Sequence, residues 1–70
     1  MVNVEELGKR IADSGLKKGF IAKELNLSRP AFLAKCKGEQ EFNADEINIL
    51  CKLLKITKAT DKVYIFLSEK

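Results

Sequence analysis

Six basic side chains fall within 21 consecutive positions, residues 17–37, and one acidic side chain, Glu24, accompanies them. The segment carries a formal charge of +5, whereas the other 49 residues, with seven basic and nine acidic side chains, sum to −2. Cations at this density are suited to bind phosphate oxygens and to release the counterions around them. An arginine can also donate two parallel hydrogen bonds to a guanine edge. The basic residues of the segment are Lys17, Lys18, Lys23, Arg29, Lys35 and Lys37.

Residue types that catalyse reactions or bind metals are scarce in this chain. It has no histidine, so neither a Ser/His/Asp nor a Cys/His arrangement can form, and it has no glycine-rich phosphate loop. Cys36 and Cys51 form no C-x-x-C motif and have apolar neighbours, which predicts buried, reduced thiols. About half of the carboxylates stand at predicted helix starts, where they complement the helix dipole. We therefore expect no enzyme, no cofactor and no metal site.

Length and composition predict a single small domain over residues 1–70. The chain has 46% hydrophobic and 33% charged residues, with one proline and four glycines, which is typical of a compact helical protein. Neither a membrane-length apolar run nor a signal-peptide core is visible in the sequence. The expectation is a soluble protein of the cytoplasm.

The basic segment is predicted to be carried by two short helices joined by a tight turn. The first helix runs from Lys18 to about Leu25, and Asn26 takes the turn because asparagine tolerates a positive φ better than other non-glycine residues. Ser28 caps the second helix, and Pro30, just inside its start, needs no N–H partner there. Such a helix-turn-helix, spanning about residues 18–37, presents a helix that can enter the DNA major groove.

The apolar residues of this segment are expected to face inward. Ala22 is small enough to let the two helices cross closely, whereas Phe20 is predicted to face outward. The predicted inward residues are Ile21, Ala22, Leu25, Leu27, Phe32 and Cys36.

A helix over residues 4–14 is predicted before this unit. Asn3 is its N-cap, with Glu6 as capping-box partner, and Gly15 supplies a left-handed stop. Its predicted apolar stripe consists of Val4, Leu7 and Ile11.

A second long helix, over residues 44–54, is predicted after a loop in which Phe42 packs against the core. Asn43 is its N-cap and Glu46 its capping-box partner. The predicted inward face consists of Ile47, Leu50, Cys51 and Leu54.

The last segment, from about residue 58, fits two patterns. Its β-branched and aromatic residues favour a strand with Val63, Ile65 and Leu67 on one face. The four preceding helices and the lack of a partner strand favour a helix from about Lys58 to Leu67, which is the alternative we prefer. On that helix one face would carry Ala59, Val63, Phe66 and Leu67.

The order of these signals resembles the helix-turn-helix repressors of temperate phages, the Cro and C1-type (XRE-like) family. The similarity covers roughly residues 3–56, with L-K-K-G-F-I-A-K-E-L-N-L-S-R-P-A-F, then Lys35, Gly38 and F-N-A-D-E-I-N-I-L-C-K-L-L-K-I-T. The ending I-F-L-S-E-K looks like that of small phage-encoded members from Gram-positive hosts. The resemblance implies an all-α, compact four- to five-helix, lambda-repressor-like domain.

The resemblance also implies roles for residues of the helix-turn-helix, with the recognition helix 29–37 in the major groove. Base-contacting positions would be Arg29, Pro30, Leu33 and Ala34. Phosphate-contacting positions would be Lys18, Gly19, Lys23, Ser28, Lys35 and Lys37. Lys18 stands where family members often carry glutamine, and Lys35 stands where a hydrophobic residue is common. Here Cys36 is expected to take that packing role, which leaves Lys35 available to solvent or phosphate.

The resulting hypothesis is a sequence-specific DNA-binding transcriptional regulator of the Cro-like type, a repressor that binds double-stranded operator DNA as a homodimer. Dimerisation is expected to use outer residues of the second long helix, Ile49 and Leu53, or the apolar segment around Tyr64, Ile65 and Phe66. The alternative hypothesis is an antirepressor-like modulator that uses the same fold to bind a larger repressor. An apolar recognition surface at Leu33 and Ala34 motivates this alternative.

Overall fold

The computed structural model describes residues 1–68, and over that range the chain forms five helices and no strand. The predicted all-α fold is confirmed, while positions 69 and 70 of the predicted domain lie outside the described residues. None of the helices in the described range is long and apolar enough to cross a bilayer. The helices are α1 (Val4–Ser14), α2 (Lys18–Glu24), α3 (Arg29–Cys36), α4 (Ala44–Leu54) and α5 (Ala59–Phe66).

The ends of α4 and α1 are fixed by local hydrogen bonds. The Glu46 N–H donates to Asn43 Oδ1 at 2.8 Å, and the Asn43 N–H donates to Glu46 Oε1 at 3.0 Å, so the predicted capping box is complete. At α1 the Glu6 N–H donates to Asn3 Oδ1 at 3.1 Å, but the second half of the predicted box is absent. The Asn3 N–H donates instead to the carbonyl of Ile65 at 2.6 Å, because α5 packs against this end of α1.

Each of the five helices contributes one fully buried large side chain to a common core. The remaining buried residues surround these five, and the loop residue Phe42 is buried as predicted. The Phe42 ring contacts Phe32 and Phe66 edge to face, with ring centroids 6.3 Å and 5.9 Å apart, so it links α3 to α5. The five central residues are Leu7, Ile21, Phe32, Leu50 and Ile65.

The last segment is a helix, so the strand alternative is wrong, but its buried face differs from the predicted one. Ile65 and Phe66 enter the core, whereas Val63 is 52% exposed and Leu67 is 62% exposed. Val4, which belongs to the predicted apolar stripe of α1, is also 47% exposed, so the predicted inward position of its side chain is wrong. Apolar residues occur all around α5, so the helix period alone does not determine which side packs.

Candidate nucleic-acid interface

The turn between α2 and α3 has the predicted geometry. Asn26 adopts the left-handed conformation with φ 59°, and the Leu27 N–H donates to the carbonyl of Ala22 at 2.9 Å. Ala22 is buried on α2, which packs against α3, and Leu27 is half-buried against the core. Together the turn and the packing of α2 on α3 form a helix-turn-helix.

The first turn of α3 is exposed to solvent. The Ala31 N–H donates to Ser28 Oγ at 3.2 Å, which is the predicted N-cap, and Pro30 lies in the first turn. Ser28, Arg29 and Pro30 are all exposed. No carboxylate in residues 1–68 forms an ion pair with Arg29, so its guanidinium donors are available to an external partner.

The four predicted base-contacting residues lie along one side of α3. Arg29 and Pro30 are exposed, while Leu33 and Ala34, one turn further along the helix, are half-buried. Leu33 packs against the core with part of its side chain, and the rest of the side chain is exposed to solvent. The surface is therefore polar at the start of α3 and apolar along its middle.

The predicted phosphate contacts divide into an exposed group and one partly buried exception. The exposed group consists of Lys18, Gly19, Lys23, Ser28 and Lys37. No atom outside the local backbone would lie within 4 Å of a Cβ placed at Gly19, so the first turn of α2 has open space around it.

Lys35 is the exception, and the expectation that it remains available to solvent or phosphate is wrong. Its Nζ donates to Glu46 Oε1 at 2.7 Å, and its side chain is 13% exposed. Burial of Glu46 would raise the pKa of that carboxyl, but hydrogen bonds from Lys35 and from the Asn43 backbone outweigh burial and lower the pKa. The ion pair is therefore present at neutral pH.

The charge of the helix-turn-helix remains strongly positive once this ion pair is taken into account. With Lys35 neutralised by Glu46, residues 17–37 keep five cations against Glu24, a net charge of +4. Outside this segment, Arg10 pairs with Glu6 at 3.0 Å and with Asp61 at 3.6 Å. Within residues 1–68, five unpaired cations lie in the helix-turn-helix and five unpaired lysines lie elsewhere, but only the helix-turn-helix carries a strong net positive charge.

Both cysteines are free thiols in the described range, and neither is suited to act as a nucleophile. Cys51 is buried, whereas Cys36 is half-buried, so the prediction of two buried thiols holds fully only for Cys51. Burial raises the pKa of the Cys36 thiol to about 11, although the nearby Lys18 ammonium acts in the opposite direction. Burial raises the pKa of Cys51 as well. Both thiols are protonated at neutral pH.

The helix α5 presents an apolar face to solvent. Ile65 and Phe66, predicted as part of a dimerisation surface, are buried in the core and are unsuited to that role. Ile49 is 37% exposed and Leu53 is half-buried on α4. The α5 face becomes visible only once the buried side of the helix is known. It consists of Ala59, Thr60, Val63, Tyr64 and Leu67, all exposed.

Comparison of the chain with models of protein families, with curated proteins and with solved structures found no match. The resemblance to phage repressors therefore stays a prediction from sequence motifs.

Proposed function

We propose that this protein is a DNA-binding transcriptional regulator that acts in the cytoplasm by occupying an operator, in the manner of Cro-like repressors. The observation that carries the proposal is the exposed first turn of α3. There Arg29 is exposed and forms no ion pair within residues 1–68, on a helix that is capped by Ser28 and packed against α2. An exposed helix start of this kind can enter the major groove.

Sequence would be recognised mainly through Arg29. Its guanidinium can donate two hydrogen bonds to O6 and N7 of a guanine, a contact that contributes about 1–3 kcal/mol of discrimination. Pro30 shapes the surface beside it. The exposed parts of Leu33 and Ala34 are suited to contact thymine methyl groups. The surface therefore has one side chain that can form strong hydrogen bonds with a base, Arg29, and a short apolar stretch at Leu33 and Ala34.

Affinity would come largely from phosphate contacts around the groove. Lys18, Lys23 and Lys37 are exposed cations on α2 and at the end of α3, and Ser28 can add a hydroxyl donor. Each phosphate that a cation neutralises contributes about −0.9 to the slope of log affinity against log salt concentration. Three lysines predict a steep loss of binding as the salt concentration rises.

A homodimer would supply the area that one such module lacks. A single recognition module buries about 600–1,000 Å² on DNA, and a two-fold dimer can read two half-sites about one helical turn apart. The exposed apolar face of α5 is suited to hold two copies together, since Val63, Tyr64 and Leu67 are each more than half exposed.

The same α5 face favours a second candidate function. A modulator that binds a larger repressor would use this apolar surface against its protein partner, and DNA would not be its ligand. Leu33 supports this alternative less than expected, because part of its side chain packs against the core.

An electrophoretic mobility shift experiment separates the two functions. Duplexes selected by the purified protein from a random 20-base-pair pool would be titrated at two salt concentrations. We expect a shifted band that weakens steeply with salt, and Arg29→Ala should reduce the affinity for the selected duplex about 5- to 150-fold. Glu24→Ala is a matched control, because it removes an exposed charge of the opposite sign from the same segment. Failure to select or shift any duplex at low salt would refute DNA binding and favour the modulator.

A further inference from the structure

A single carboxylate oxygen joins the last turn of α3 to the first turn of α4. Glu46 Oε1 accepts hydrogen bonds from Lys35 Nζ at 2.7 Å and from the Asn43 N–H at 3.0 Å. The two charged side chains are largely withdrawn from water, at 13% and 10% exposure. The pair is thus a desolvated contact, and its strength depends on geometry far more than that of a surface ion pair does.

This contact is the one hydrogen bond between a side chain of α3 and a side chain of α4 within residues 1–68. α3 packs mainly on α2 and α1 and touches α4 less. Phe32 is the one residue of α3 that is fully buried. Leu33 and Cys36 add only partly buried contacts with the core, so the desolvated ion pair at Lys35 is a further, directional anchor for the last turn of α3.

We propose that Lys35 and Glu46 are positioning residues of the candidate interface. Lys35 lies six residues after Arg29, about 9 Å further along the helix axis, so the ion pair fixes the end of α3 opposite to the one that reads bases. This inference rests on the proposed function, and it assigns Lys35 to the orientation of α3 rather than to a phosphate. The lysine then affects sequence recognition without touching DNA.

Three variants and a control separate orientation from phosphate contact. Lys35→Met keeps the chain length without the ammonium group. Glu46→Gln keeps an oxygen that can accept from the Asn43 N–H, so the capping box survives while the ion pair is lost. Lys35→Arg retains a partner for the carboxylate. Lys37→Met, which removes an exposed lysine at the end of the same helix, is the matched control.

Two measurements are made on each variant. The amide resonances of residues 29–36 are recorded by NMR without DNA, and binding to a selected duplex and to a random duplex is measured at several salt concentrations. We expect Lys35→Met and Glu46→Gln to move the α3 resonances. We also expect them to weaken selected-duplex binding about tenfold or more, with less effect on random DNA and an unchanged salt slope. Lys35→Arg should preserve both readouts.

The control should give the opposite pattern. Lys37→Met should weaken both duplexes about equally and reduce the salt slope by about 0.9. The proposal is overturned if Lys35→Met does the same and leaves the α3 resonances in place. Should Lys35→Met not fold, the Lys35→Met/Glu46→Gln double variant, which leaves no charge buried without a partner, replaces it. If the wild type binds no DNA, the proposed function fails, and the NMR comparison still decides whether the ion pair orients α3.

Discussion

Truncation of Ile65 tests how α5 is attached to the rest of the fold. Ile65 has no exposed surface and lies at the centre of the core. It belongs to α5, the helix for which the sequence pattern does not determine which side is buried. Ile65→Ala removes three carbon atoms, which is about 2.4 kcal/mol of transfer free energy at about 0.8 kcal/mol per group, and the cavity adds to this cost. We expect a loss of about 3 kcal/mol in the free energy of unfolding.

The expected loss is large for a domain of this size. A 70-residue protein has a total stability of about 4–10 kcal/mol, and 3 kcal/mol corresponds to a decrease in Tm of about 12–24 °C. The assay is urea unfolding followed by circular dichroism at 25 °C, with thermal melts in parallel. If Ile65→Ala is unfolded at the outset, Ile65→Val, expected to cost about 1 kcal/mol, gives the same information.

Val63 provides the matched control on the same helix. Its side chain is 52% exposed in the monomer, so Val63→Ala should change stability by less than about 0.5 kcal/mol when both variants are measured at a protein concentration too low for dimers. The reasoning would be refuted if Val63→Ala were as destabilising as Ile65→Ala, since α5 would then bury a different face.

Three further predictions concern backbone geometry, acid sensitivity and thiol reactivity. Asn26→Ala should cost about 1 kcal/mol in urea unfolding because of the positive φ at this position, and Asn26→Gly should be close to neutral; equal losses would contradict this account. The folded-state pKa of Glu46 is lowered, so its contribution to stability is present above the ordinary value of 4.5 and is lost as pH falls through the lower folded value. The wild type should therefore lose more free energy of unfolding than Glu46→Gln between pH 5 and pH 3. An equal loss in both proteins would show that Glu46 does not contribute in this way. At pH 8.5 iodoacetamide should modify Cys36 more slowly in the folded protein than in urea, because its folded pKa is about 11, and peptide mapping reports the two rates.

The helix ends that depend on neighbouring residues were predictable from the sequence. The bounds of α1 and α4 agree with the prediction, because Asn3, Gly15 and Asn43 act within three residues of the helix that they delimit. The turn at Asn26 and the cap at Ser28 follow the same logic, and so does the exposure of the first turn of α3.

Features that depend on distant partners were not predictable. Lys35 is one of many lysines, and nothing local shows that a carboxylate eleven positions away reaches its ammonium group. The side of α5 that packs inward depends on where α1 and Phe42 lie, because α5 itself carries apolar residues on all of its sides. The half-complete cap at Asn3 has the same cause, since the competing acceptor belongs to Ile65.

The hydrogen bond from the Asn3 N–H to the Ile65 carbonyl closes a loop of 62 positions. Joining such distant points costs chain entropy, and that cost rises only with the logarithm of the loop length. Local helices can therefore form before this loop closes, and opening the loop frees the start of α1 together with α5. The amide hydrogens at the start of α1 and in α5 should consequently exchange with solvent through the same opening, with the same free energy of opening.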